Sequence, residues 1–407
     1  MMIRLLLSSL LLMAILSGGC AHRGFPEGAA EFPYAPLEAP GADTVIHVAT
    51  GTSLTKDQLY SMLSDARVIY ISESHNNIEA HRVQAEVIEA MVARFPGQVA
   101  IGLEMFPHTA QAELDEWAAA GLDEREVDRL WSKYWNVDIA YYRPVIEVIE
   151  RYRLPVRGLN APRSLVRDIS QNGAEGVSAE LREQTPEVDL TDPYQKEFLR
   201  SIYAGHMQGS GMLDRFVLIQ SLWEETMARS ASTYLLSDEG LDKKLIVLAG
   251  GHHINYGFGI PRRLFRRLPD TYYTINPEIF SAEEIPEEEL MDVDIPSLPL
   301  RVSDFYWYIP FVKLEIKRPV LGVMVRAAEE GLEVVELMPD SLALRSGLMK
   351  GDLITTVNGE RLEEAGDLRF WLRDLQEGEH VRLSVVRNGS PVVIDAVLDE
   401  TAFVHSD

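Results

Sequence analysis

Glu73 and His75 stand two apart, directly after the β-rich run Val68-Ile69-Tyr70-Ile71. Three more such runs end on chemically capable residues. Glu104 follows Val99-Ala100-Ile101-Gly102-Leu103, and Asn160 and Arg163 follow Pro155-Val156-Arg157-Gly158-Leu159. Gly250-Gly251-His252-His253 follows Leu245-Ile246-Val247-Leu248-Ala249. Carboxylates and imidazoles coordinate metals and move protons. His75, His206 and His253 with Glu73 or Glu104 could hold a divalent metal such as zinc or manganese. That metal would acidify a bound water, with the remaining glutamate as general base, which is the chemistry of a peptidase-like hydrolase. The compact H-E-x-x-H spacing and the G-x-S-x-G elbow are both absent. His47, His108, His380 and His405 are read as structural or exposed.

The elements that position these groups alternate. Apolar residues at Ala80, Val83, Val87 and Met91 have helical spacing, and further helices are predicted over Ile139–Tyr152, Pro193–His206 and about Asp214–Leu236. Strands alternating with helices predict a three-layer α/β/α domain with a mostly parallel sheet. All four strand C-termini then lie at one edge, where open α/β folds bind ligands. Residues from Glu73 to His253 are therefore expected to converge. The acidic stretch within 278–295 is a solvated loop, and Phe305-Tyr306-Trp307-Tyr308 is the last strand of this domain. From Lys317 the strands become short and turns frequent, at Met338-Pro339-Asp340, Asn358-Gly359 and Asn388-Gly389, which predicts a small β-rich domain.

The chain has 407 residues, one cysteine and a net charge of −25. That charge argues against general nucleic-acid binding, which needs a basic surface. A lone cysteine excludes an intramolecular disulfide framework and a Cys-based zinc site. The only long apolar run is N-terminal: Arg4, then Leu5–Leu16, then Ser17-Gly18-Gly19-Cys20. It is too short for a comfortable span and has the anatomy of a signal peptide, residues 1–19. Small residues before Cys20 resemble a bacterial lipobox, which implies lipidation of Cys20 and membrane attachment through the lipid. Ala21 after it points to the outer membrane, facing the periplasm. Residues 20–45 read as a Gly/Pro/Ala-rich tether.

Together, Ser72-Glu73-Ser74-His75, Gly102-Leu103-Glu104 and Gly250-x-x-His253 resemble the ChaN/Tiki superfamily of haem-binding uptake proteins and metal-dependent proteases. The ChaN branch is the nearest resemblance. Asn160-Ala161-Pro162-Arg163, Gln220-x-x-Trp223-x-x-x-Met227-Ala228, Gly259-Ile260-Pro261-x-Arg263 and Asp304-Phe305-x-Trp307 match its motifs over residues 46–314. Ser72 replaces the family's usual Gly, which would limit close approach of backbone to ligand. The resemblance implies binding of haem or an iron compound, uptake or trafficking, and a homodimer able to share the ligand. It also implies a tyrosinate on iron, a hard oxygen donor. Tyr203, three residues before His206 on one helix face, is the first candidate, with Tyr256 and Tyr142 next. Arg163 and Arg263 are candidates for the haem propionates. The Tiki branch instead implies the metal hydrolase, with Glu73 and Glu104 catalytic and His75, His253 and Glu104 on the metal.

Residues 317–400 resemble a PDZ domain of the HtrA type. Val320-Leu321-Gly322-Val323 matches its carboxylate-binding loop, and Ser341-x-Ala343, Gly347-Leu348, Gly351-Asp352 and Val357-Asn358-Gly359 match the rest. Leu342 replaces the usual Pro. The resemblance implies a peptide or protein C-terminus as partner, bound as an added strand.

Overall fold

A computed structural model describes residues 40–173, 176–204, 210–279 and 298–405. Cys20, His206, the signal segment and most of the acidic stretch lie outside the described residues. In chain order the first domain runs β1 (Val45–His47), β2 (Thr52–Leu54), α1 (Lys56–Leu63), β3 (Val68–Glu73), α2 (Ile78–Arg94), β4 (Val99–Pro107), α3 (Gln111–Ala118), α4 (Glu124–Tyr134), α5 (Arg143–Tyr152) and β5 (Val156–Asn160). It continues through α6 (Arg163–Asn172), α7 (Ala179–Arg182), α8 (Pro193–Ala204), α9 (Ser210–Leu235), β6 (Lys244–Gly250), α10 (Gly251–Ile254), α11 (Ile260–Arg267), β7 (Tyr272–Ile279) and β8 (Phe305–Ile309). The second comprises β9 (Lys317–Pro319), β10 (Val323–Ala328), β11 (Gly331–Leu337), α12 (Leu342–Arg345), β12 (Leu353–Val357), β13 (Glu360–Arg361), α13 (Ala365–Leu372), β14 (His380–Arg387), β15 (Ser390–Val397) and β16 (Phe403–His405).

The first sheet has the order β2-β1-β8-β7-β3-β6-β4-β5. The six strands from β8 to β5 are parallel, and β1 and β2 are antiparallel additions. β3, β4 and β6 are nearly continuous apolar runs because helices cover both faces. On one face Ile69, Ile71, Ile101 and Ile246 pack with Leu59, Val87, Ile88, Leu130 and Ile146 from α1, α2, α4 and α5. On the other, Val68, Tyr70, Val247 and Ala249 pack with Met227, Ala231, Ile260 and Leu264 from α9 and α11.

The sequence boundaries shift at their ends. Asp43 is already part of the fold: its N–H donates to the Tyr308 carbonyl at 2.8 Å, and its carboxylate accepts from Arg82 at 2.9 Å. β16 pairs with β9, so the second domain runs past 400. The helix expected over Ile139–Tyr152 begins as a 3-10 turn at Ile139–Tyr142 and becomes α-helical at Arg143, with Pro144 in its first turn. β8 is last in sequence but not in space, lying between β7 and β1.

The second domain is a six-stranded antiparallel sheet with β10 at one end and α13 beside it. α13 also packs on α4 of the first domain. Arg369 donates to the Ser132 carbonyl at 3.0 Å, Arg129 to Asp367 at 3.3 Å, and Arg318 to Asp138 at 2.7 Å. The Arg125 guanidinium lies 4.9 Å over the Trp371 ring. Asp128, 1% exposed, is held by Arg143 of its own domain at 2.5 Å and by Arg373 of the other. Asp128→Ala would leave two partly buried guanidinium groups without their buried acceptor, Arg143 keeping only exposed Glu124 and Arg373 only exposed Asp374. It should lower stability by about 2 kcal/mol, read as a lower urea midpoint; an unchanged midpoint would remove Asp128 as an inter-domain clasp.

Candidate functional site

β3, β6 and β4 are neighbours, so Glu73, Gly250 and Glu104 meet at the C-terminal edge of the sheet. Glycine at 250 is a packing requirement. A Cβ there would stand 3.1 Å from His75 Cε1, 3.2 Å from its Nε2 and 3.6 Å from Glu104 Oε2. The backbone thus runs between the two acidic clusters at van der Waals range.

The first cluster centres on Glu73, 6% exposed. Its Oε1 accepts from Tyr142 at 2.6 Å and faces His75 Nδ1 at 2.8 Å; its Oε2 accepts from Gln84 at 2.6 Å. Gln84 and His81 come from one face of α2, three residues apart. His81 is fully buried, and its Nε2 lies 3.2 Å from the His75 carbonyl. Burial alone would raise the Glu73 pKa, but His81, His75 and Tyr142 hold it below the usual carboxylate range. His75 loses by burial and gains more from Glu73 and Glu104, so its pKa is raised. Trp135, at the end of α4, meets the His75 ring edge-on at 5.1 Å.

The second cluster is a buried row of alternating charges. Glu104 Oε2 accepts the Gly250 N–H at 2.6 Å, and its Oε1 lies 3.3 Å from His253 Nε2. His253 Nδ1 lies 3.5 Å from Glu224. Arg263, 1% exposed, donates to Glu224 at 3.2 Å, to Glu225, and to Gln195 at 3.0 Å. Arg267 closes the row on Glu225 at 2.6 Å. Burial opposes both charges, yet His253 holds Glu104 down to about 2, and Glu104 and Glu224 raise His253 to about 10.

Of the residues expected at the site, Glu73, His75, Glu104 and His253 converge. As a metal set, His75, His253 and Glu104 need correction. Among the described residues no group of three or more His, Cys, Asp or Glu side chains is arranged to hold a metal. A ligating imidazole must be neutral, and the carboxylates on either side of His253 raise its pKa and favour its protonated form. Glu73 and Glu104 are likewise poor general bases, because donors stabilise their charged forms. Arg263 is corrected from a propionate partner to a buried member of the charge row. Tyr142 is spent on Glu73. Tyr203 is 8% exposed and packs on Phe216 at 5.4 Å between helices, which does not present its hydroxyl to a ligand. Arg163 is exposed and donates to the Tyr134 carbonyl at 3.0 Å. Ser72 turns away from the edge, donating to Asn276 at 2.5 Å, so it does not restrict approach to the site.

Tyr256 differs from the other tyrosine candidates. It is partly exposed and holds a left-handed backbone, φ 58° and ψ 4°, which is costly for a non-glycine residue. Its ring stacks on Phe258 at 5.7 Å and meets Phe198 at 5.3 Å. Phe216, Leu213 and Leu298 complete this apolar patch beside α10. Burial and Glu278 raise its pKa, so the phenol keeps its proton until an acceptor or a metal displaces it. The charge row and this patch were not legible as units. The acidic pair Glu224-Glu225, in the largely buried stretch Ser221–Ala228 of α9, was the available signal.

In the second domain, Val320-Leu321-Gly322-Val323 forms the loop entering β10. Gly322 has φ +69°, and Leu321 and Gly322 carbonyls accept from Ala343 and Met338 at 2.8 and 2.9 Å. Among the described residues β10 pairs only with β11, which leaves its other edge open to an added strand.

A family model described as "Haem-binding uptake, Tiki superfamily, ChaN" matches residues 59–264, half of the chain. A PDZ-domain model matches 319–398. The fold is similar to a structure titled "Cofacial heme binding to ChaN of Campylobacter jejuni", with TM-score 0.51 and 19% identity over 67% of this chain and 98% of that one. Among curated proteins the chain is similar to the periplasmic pH-dependent serine endoprotease DegQ of Escherichia coli, 32% identical over 97 residues, covering 21% of each chain. The periplasmic serine endoprotease DegP of Salmonella typhimurium is 27% identical over 100 residues, covering 22% of this chain and 21% of that one. The chain thus spans about a fifth of the length of these relatives.

The charge row makes a pH prediction. Glu104, lowered from 4.5 to about 2, stabilises the fold fully above pH 4.5 and loses that contribution as pH falls towards 2. His253, raised from 6.5 to about 10, stabilises fully below pH 6.5 and loses its contribution as pH rises through 10. The stability gap between the native chain and Glu104→Gln should therefore be widest between pH 4.5 and 6.5 and narrow on both sides. Urea midpoints across pH would measure it; a constant gap would refute the assignment.

Proposed function

The chain belongs to the ChaN family of the Tiki superfamily, and from that premise we propose that it binds haem at the C-terminal edge of its sheet. The observation that carries this reading is the aromatic patch of Phe198, Phe216 and Phe258 around the backbone-strained Tyr256. Tyr256 and Phe216, the partly exposed members of this cluster, offer a flat apolar macrocycle a contact, and a phenol beside it is the oxygen donor ferric iron prefers. In this reading Tyr256 ligates iron. Exposed Arg163 is the candidate for a propionate, and His75, with Nδ1 anchored on Glu73, lies beside the ligand. Haem supplies the iron chemistry, while the chain binds, orients and shields it. His206, outside the described residues, stays a candidate neighbour, and a homodimer sharing the ligand belongs to the same proposal.

The second domain takes a peptide or protein C-terminus along β10, its carboxylate at Val320–Val323. Lipidation of Cys20 would attach the protein to the envelope, facing the periplasm; the periplasmic relatives of the PDZ segment support that location. No helix of the described residues is long and apolar enough to cross a membrane. Uptake or trafficking of haem or an iron compound is the role that unites these parts.

Titration with ferric haem tests the first half. The chain should give a saturable Soret shift and the charge-transfer band of tyrosinate-bound high-spin iron, and Tyr256→Phe should lose that band. An identical spectrum in the variant would remove Tyr256 from the iron. Gly322→Val tests the second half: its Cβ would fall 2.4 Å from Ser341 Cβ at a positive φ. Binding of an apolar-ended C-terminal peptide should drop roughly tenfold or more, with the haem spectrum unchanged; retained peptide affinity would count against that loop.

A further inference from the structure

We propose that a second, separate binding site lies at the lateral edge of the sheet, between β5, α3 and α9, and that it takes a small oxyanion, a carboxylate or a phosphate. A cavity of about 400 Å³ opens there, lined by His108, Gln111, Arg157, Arg229, Tyr234 and the single carboxylate Glu239 among others. Its lining shares no residue with either acidic cluster of the sheet edge. The volume falls in the range of small-molecule pockets.

The charges around it are unequal. Arg157 is neutralised: it donates to Asp115 at 2.8 Å and to Glu239, and its guanidinium lies 4.5 Å over the Tyr234 ring. Arg229 is not. Among the described residues it makes no ion pair, and its N–H groups reach only the carbonyl oxygens of Gln184 at 2.5 Å and Glu183 at 3.5 Å. In a chain of net charge −25, an uncompensated guanidinium in a cavity is an unusual arrangement. Burial and the nearby Arg267 both act against its charge, so an anion entering the cavity would relieve it.

Hydrogen-bonding capacity is also unspent here. The Tyr234 hydroxyl, His108 Nε2 and Arg157 Nε are buried with donor capacity unspent among the described residues, the Tyr234 oxygen facing the Arg157 side chain. Tyr234 is 7% exposed and Arg157 9%. Buried polar groups left unpaired are costly and therefore uncommon. Three in one wall, around one uncompensated cation, suit a ligand that only accepts. His108 is held neutral by burial and by Arg229, so it can offer Nε2–H without adding a charge. Small side-chain rotations of the kind that accompany binding bring these atoms to a ligand oxygen. A cation would be repelled by Arg229, and an apolar ligand would leave the donors unpaired. An oxyanion satisfies both conditions through charge-assisted hydrogen bonds.

The test is calorimetric titration of the full chain with inorganic phosphate and, separately, succinate, in chloride buffer. At least one should bind saturably, and the tighter of the two identifies the class. Arg229→Met should weaken it roughly tenfold or more, and Tyr234→Phe, which removes only a hydroxyl, about threefold or more. The circular dichroism spectrum should be unchanged in both variants, which reports that they fold. Failure of both anions to saturate, or unaltered affinity in a folded Arg229→Met chain, would overturn the proposal. Loss of haem binding alone would leave it standing.

Discussion

The architecture of the site depends on one buried row of charges: Glu104, His253, Glu224, Arg263, Glu225 and Arg267. Every member but Arg267, which reaches solvent, would be costly alone so far from water. The alternation of sign lets each neighbour offset the desolvation of the next, provided that every contact is made. The row joins β4, α10, α9 and α11, with Gln195 of α8 bonded to both Glu224 and Arg263. It therefore anchors the helical layer to the sheet edge where a ligand must sit. The interactions that hold Glu104 and His253 in place also stabilise their charged states.

Much of this was legible in the chain. Nearly continuous apolar runs identify β3, β4 and β6, and the parallel-sheet rule brings Glu73, Glu104 and His253 together without any structural information. What was not legible is who pairs with whom. Arg263 lies roughly 40 residues from Glu224, and no periodicity links them. Tyr142 looked like an iron donor and is instead a donor to Glu73. The three-residue strands β1 and β2 are too short to carry an alternating pattern. Ser72, a departure from the family at an apparent contact position, is spent on a hydrogen bond to Asn276 of β7.

Tyr203, Tyr256 and Tyr142 show how burial separates candidates that sequence leaves equal. All three hydroxyls lie within reach of the same edge by sequence argument. One is spent on a carboxylate, one is packed between helices, and one sits partly exposed on a strained backbone inside an aromatic patch. Rigid surroundings maintain such strain, here through Phe198, Phe258 and the Tyr256 N–H bond to the Val302 carbonyl at 2.8 Å.

α4 is used on both sides. Trp131 packs on Tyr142 at 4.5 Å and Trp135, just beyond the helix, meets His75, while Asp128, Arg129 and Ser132 grip the PDZ domain. Such a helix removes the modularity that a fusion of two familiar domains suggests. A fragment ending near Leu314 would carry a carboxylate evolved for two guanidinium groups but holding one, beside a strip of helix with its cover gone. The converse fragment would expose Phe370 and Trp371. The unit that can be inherited, expressed or transplanted intact is therefore the pair.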